Sequence, residues 1–115
     1  MTIDELWLHI KHARLHHTTE EEMQWDLLQY FEARGIPCQR EARLSDKERV
    51  DFLVGDIAVE CKTKGPAGYV FRQVKRYLKH ECVSGVILVT SYHMGLPEKV
   101  GGKKCLVVKV GQAWL

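Results

Sequence analysis

The chain has 115 residues, 45% of them hydrophobic and 28% charged, which suits one globular domain with a single core and excludes a disordered or fibrous polymer. A net charge of +2 leaves the choice of partner to local patches. Four cysteines without a C-x-x-C pair or a matching histidine pair exclude a zinc-finger pattern and a disulfide framework, and read as reduced thiols of an intracellular, cytoplasmic protein. The first residues lack the basic-then-apolar pattern of a signal peptide, and no apolar run reaches membrane-spanning length, so no membrane partner is expected.

Ile3, Leu6, Trp7 and Ile10 recur at helical spacing and predict an amphipathic helix over 3–15. The nearby His9, His12, His16 and His17 read as polar surface rather than as metal ligands. Thr18 and Thr19 followed by Glu20, Glu21 and Glu22 mark a second helix start, with a threonine cap and acids where the helix dipole favours them. Met23, Leu27, Tyr30 and Phe31 make its buried stripe, and Gly35 with Pro37 ends it. Glu20 shares the side of Met23 and Leu27 and is the one of the three glutamates able to look toward a sheet; a pure helix-dipole role for all three is the competing reading.

Strands are expected over 36–44, 50–54 and 57–62, the last two joined by Gly55-Asp56, a two-residue hairpin turn of the Gly-first kind. That turn fixes the register, pairing Val54 with Ile57, Leu53 with Ala58, Phe52 with Val59, Asp51 with Glu60 and Arg49 with Lys62. Alternation then gives Asp51, Leu53, Ala58, Glu60 and Lys62 one face, and leaves Val50, Phe52, Val54, Ile57, Val59 and Cys61 on a wholly apolar one. Two carboxylates directly opposed weaken a sheet unless something offsets their charge. A hard cation with oxygen ligands, Mg²⁺ above all, would do so, with Lys62 beside it. On these residues alone an ordinary surface hairpin with scattered charges explains the pattern equally well. Arg40, Glu41 and Arg49 lie beside it, with an ion-pair role and a site role both open.

A loop from Thr63 to Gly68 leads to a helix over 69–79 whose buried stripe is Val70, Val74, Tyr77 and Leu78. From Lys62 to His80 there are six Lys or Arg and no acid, a one-signed patch that includes Lys64, Arg72, Lys75, Arg76 and Lys79. The apolar run within 83–92 reads as a buried strand, parallel to 57–62 across a βαβ crossover. A loop over 93–102, a strand over 104–110 and a short tail complete the chain.

The order helix, three strands, helix, strand resembles the αβββαβ core of the PD-(D/E)XK nuclease superfamily, with an extra N-terminal helix and a C-terminal strand. The matching residues are Asp51, then after eight intervening residues Glu60-Cys61-Lys62, with Glu20 at the first-helix glutamate and Gln73 and Tyr77 as a Q-x-x-x-Y pair. They cover 18–92 of one domain, with 1–17 as a helical extension and 93–115 as the closing loop and strand. Val50 stands where the superfamily's name has proline.

The resemblance implies a restriction-endonuclease-like fold and Mg²⁺-dependent hydrolysis of DNA phosphodiesters, with Mn²⁺ able to substitute. It implies a metal held by Asp51, Glu60 and the Cys61 backbone carbonyl with help from Glu20, and Asp51, Glu60, Lys62 and Glu20 as the catalytic set. Gln73 and Tyr77 would support them, and Lys64, Arg72, Lys75, Arg76 and Lys79 would contact DNA. Small single-domain relatives of that kind include Holliday-junction resolvases and phage-type nucleases. A homodimer is expected, its interface on the apolar face of the first helix or on the last strand. The competing expectation is a non-catalytic DNA-binding or assembly module on the same fold.

Overall fold

Thr2 and Thr19 each accept a backbone N–H with their side chains, and the helices they start are α1 (Ile3–His12) and α2 (Glu20–Ala33). At Thr2 the Glu5 side chain returns a bond to the cap backbone, a reciprocal capping box. Helix α2 ends where Gly35 takes φ 66° and Ile36 N–H donates to Phe31 O at 2.9 Å, so Ile36 closes a helix instead of opening a strand. The first strand is accordingly shorter than the sequence predicts, β1 (Gln39–Arg43). The computed structural model describes residues 1–111, and the expected tail at 112–115 lies outside the described residues.

Strands β2 (Arg49–Val54) and β3 (Ile57–Lys62) form the expected hairpin, with Gly55 at φ 61°, the left-handed value that a Gly-first turn needs. Helix α3 (Ala67–Leu78) begins two residues before the expected start, directly after Pro66 at its N-cap. Then come β4 (Gly85–Thr90), a two-residue β5 (Lys99–Val100) and β6 (Lys103–Lys109). Strand β5 falls within the expected loop. Gly101 and Gly102, at φ 58° and φ 80°, supply the tight turn that folds it back on β6.

The fold is α/β: three helices and one mixed six-stranded sheet in the order β1-β2-β3-β4-β6-β5. β3, β4 and β6 run parallel, and the other neighbours are antiparallel. Every residue of β4 is buried, as a central strand covered on both faces requires. On one face Leu6, Ile10, Met23, Leu27 and Phe31 of α1 and α2 pack with Phe52, Val59 and Ile87. On the other, Val74, Tyr77 and Leu78 of α3 pack with Ala58 and Val86. Each fully buried side chain of this size contributes about 1.5–3 kcal/mol relative to exposure.

One expectation about the periphery needs correction. The apolar face of α1 is not free for a partner, because Leu6 and Ile10 are buried in the core and Trp7 Nε1 donates to Val107 O at 2.9 Å. The last long strand, β6, is flanked by β5 only at Lys103 and Lys104, so beyond them it has no strand neighbour on that side. Helix α3 is held at its C-terminal end from two sides. Glu48 accepts from Arg76 Nε at 3.1 Å and lies 2.7 Å from His80 Nε2, while Lys103 Nζ donates to Leu78 O and His80 O at 2.8 and 3.0 Å. Among the described residues no helix is long and apolar enough to cross a membrane.

Candidate active site

The hairpin ladder follows the expected register from Val54↔Ile57 through Leu53↔Ala58 to Phe52↔Val59. Beyond it the strands stop exchanging backbone bonds and use side chains. Asp51 N–H donates to Glu60 Oε1 at 3.0 Å, and Cys61 N–H donates to Asp51 Oδ2 at 2.8 Å. The carboxylates therefore occupy the places of missing backbone acceptors, which fixes both of them and satisfies two N–H groups that would otherwise be stranded. Because the β2–β3 register ends at Phe52↔Val59, neither the expected backbone pairing of Asp51 with Glu60 nor that of Arg49 with Lys62 forms; Arg49 pairs with Arg43 on β1 and Lys62 with Thr90 on β4.

The apolar face is as expected for Phe52, Val54, Ile57, Val59 and Cys61, which all lie in the core beneath α1 and α2. Val50 is the exception, since it packs with Ala42 and Ala58 under α3. The alternation of β2 slips at Asp51, between Val50 and Phe52. Cys61 is fully buried, and burial pushes its thiol pKa up, which makes it core rather than nucleophile.

Glu60 is 4% exposed and is held on its other oxygen by Tyr77, whose hydroxyl donates to Oε2 at 3.0 Å. Lys62 Nζ stands 3.8 Å from that same oxygen. Burial and the neighbouring Asp51 push the Glu60 carboxyl up to about 8, and burial also raises Asp51. Burial of both acids and the charge of Asp51 on Glu60 thus favour holding a proton on the pair. Burial first, then the charge of Glu60, raises Tyr77 well above its ordinary range, so it acts as a hydrogen-bond donor and not as a base. Gln73 Nε2 donates to Tyr77 Oη at 2.8 Å, which completes a line from Gln73 through Tyr77 to Glu60. Gln73 Oε1 is buried with no protein partner.

Glu20 looks toward the sheet as its helical position predicts. Its Oε2 accepts from Thr63 N at 3.2 Å, one residue beyond Lys62. Its carboxylate is turned to that backbone, and among the described residues no group of three or more His, Cys, Asp or Glu side chains is arranged to hold a metal ion. The acids brought together at one point are the Asp51–Glu60 pair. The two carboxylates offer only oxygen donors, which fits a hard ion such as Mg²⁺ or Mn²⁺ and not a softer one.

Two clefts reach neighbours of the pair, though neither is lined by Asp51, Glu60 or Lys62 themselves. One, of about 450 Å³, is lined by Ser45, Lys47, Glu48, Arg49, Gln73, Arg76 and Tyr77. The other, of about 800 Å³, carries Glu20, Glu21 and Glu41 together with Lys64. Lys64, Arg72, Lys75, Arg76 and Lys79 are all exposed, although Arg76 is committed to Glu48 and Lys75 stands over the Phe71 ring, 5.2 Å from its centroid. Reading the sequence missed two neighbours of the site. Thr63 became visible only through its bond to Glu20. Tyr92 lies at the end of β4, where the charges of Lys62 and Glu20 both act on its phenol. No protein-family model, curated protein or solved structure matches this chain.

Proposed function

We infer that this protein is a divalent-cation-dependent endodeoxyribonuclease with the restriction-endonuclease-like arrangement of the PD-(D/E)XK superfamily. The observation that supports this reading most is the convergence of Asp51, Glu60 and Lys62 at the open end of the hairpin, with Lys62 Nζ 3.8 Å from Glu60. A buried acid pair whose surroundings favour a proton is poorly suited to a purely structural role and well suited to exchanging that proton for a cation.

Asp51 and Glu60 would hold Mg²⁺ or Mn²⁺, with the Cys61 carbonyl and Glu20 as further oxygen donors at the rim. When bound, the cation supplies Lewis-acid polarisation and a counter-charge for the phosphate. Lys62 orients the attacking water and stabilises negative charge growing on phosphate oxygens. Tyr77, braced by Gln73, fixes the Glu60 carboxylate in one orientation. Lys64, Arg72, Lys75 and Lys79 bind backbone phosphates, with Arg76 doubling as a tether to Glu48. Such contacts position DNA without reading its sequence, which favours selection by shape, as at a branch or junction. Two chains acting together would cut both strands.

The test uses supercoiled plasmid and branched oligonucleotides with Mg²⁺ or Mn²⁺, comparing wild type with Glu60→Ala. Nicking by the wild type alone is expected. Equal nicking by both proteins, or binding without cleavage, would replace the enzyme by a DNA-binding module.

A further inference from the structure

The sheet breaks its own alternation at one place, and that place coincides with the carboxylate pair. Residues two apart on a strand share a face, yet Phe52 belongs to the core under α1 and α2 while Val50 belongs to the core under α3. On the neighbouring strand the register passes from Arg40↔Phe52 to Ala42↔Val50, so Glu41 and Asp51 face each other at the change. Glu41 has φ 49°, and it is the one non-glycine residue among those described with a positive φ.

A left-handed residue inside a strand is unfavourable for any side chain with a Cβ, and Glu lacks the short polar group that lets Asn or Asp tolerate it. Strain of this sort persists only where the surroundings over-determine it, and it gathers at functional sites. Its local effect is mechanical. One left-handed residue rotates the strand beyond it by about half a turn, and β2 must follow to stay paired. The following residues then change faces, as Ala42 and Val50 do. At the pivot, Asp51 N–H turns to Glu60 and the Asp51 carboxylate turns to Cys61 N–H.

The geometry points to Glu41 as a positioning residue: its left-handed backbone, and not its carboxylate, twists the β1–β2 ribbon open at Asp51 and so seats both acids against backbone N–H groups. Glu41 is exposed, and neither a hydrogen bond nor an ion pair of its side chain is needed for this effect. The inference rests on the nuclease reading for its purpose, but its test does not.

Glycine adopts the left-handed region freely, whereas a β-branched side chain resists it strongly. Glu41→Gly should therefore keep the site, and Glu41→Val should lose it. Methyl NMR of the full chain should give Val50 contacts to Val74 and Tyr77 in the wild type and in Glu41→Gly, and should lose them in Glu41→Val. Amide exchange at Cys61 should quicken at least tenfold in Glu41→Val alone, and Mn²⁺ affinity by calorimetry should fall at least tenfold in the same protein. If the valine protein does not fold, Glu41→Thr, also β-branched but polar at this exposed position, carries the same comparison with glycine. Unchanged Val50 contacts and Cys61 exchange in the valine or threonine protein would overturn the inference. Equal losses in Glu41→Gly would overturn it too, by showing that the carboxylate is what matters. A wild type that binds no Mn²⁺ would sink the nuclease reading, while the contacts and the exchange rates would still decide the role of Glu41.

Discussion

Near the Gly55–Asp56 turn, β2 and β3 are zipped by backbone bonds, and Phe52, Val54, Ile57 and Val59 fill a core. A few residues on, at Asp51 and Glu60, the same two strands part and carboxylates take over the bonding. The closed half is stabilised by burial of apolar surface. The open half buries two acids whose surroundings favour a proton. One hairpin thus divides its labour along its length, and substitutions at its two ends should fail in opposite ways.

The largest effect is expected in the open half. Asp51→Asn should lower cleavage by about 10²–10⁴-fold, the range for losing a group that binds or activates the reacting atoms. Its thermal midpoint should stay equal to or above that of the wild type, because a buried acid becomes neutral. An activity loss that merely tracks unfolding would erase the distinction between the two ends.

In the closed half the pattern reverses. Phe52 is fully buried and meets the Phe31 ring edge-on, with centroids 5.7 Å apart. Phe52→Ala should cost about 3–5 kcal/mol in denaturant unfolding through the cavity it leaves. Whatever fraction stays folded should cleave at close to the wild-type rate per molecule.

The smallest effect sharpens the comparison through pH. The folded pKa of Glu60, about 8, lies above its ordinary 4.5, so folding favours the protonated acid. The stability linked to this group is fully present below its unfolded pKa and is lost as pH rises toward the folded value. Between those limits the metal-free wild type should lose several degrees of thermal midpoint relative to Glu60→Gln, which carries no such proton. Added Mg²⁺ should recover the loss in the wild type only. Parallel midpoints at all pH values would mean that Glu60 is an ordinary carboxylate.

The division along the hairpin also sets what could be read from the sequence. The turn residues Gly55-Asp56 determine the register through Phe52↔Val59 by chain geometry alone, and the helical stripe of Met23 and Leu27 aims Glu20 at the sheet. Parallel pairing of β3 with β4 follows from the intervening α3. The slip at Asp51 was invisible because nothing in a glutamate at position 41 announces a left-handed backbone, and strict alternation then misassigns Val50. Helix α3 was read too short because Gly65 and Gly68 look like loop, whereas Pro66 at the N-cap lets the helix begin at Ala67. Gly101-Gly102 did carry a turn signal for β5, but the strand is only two residues long, below the reach of any periodicity.

Helix α3 is fastened unevenly. Lys103, reaching over from β6, and the Glu48 bridge both grip its C-terminal turn, while Pro66 gives its first turn no side-chain cap. The root of the helix is thus gripped by side chains while its tip is held by packing alone: Tyr77 and Gln73 sit at the root on Glu60, and near the tip Val70 is seated on Leu88 and Met94 with Tyr69 and Arg72 turned outward.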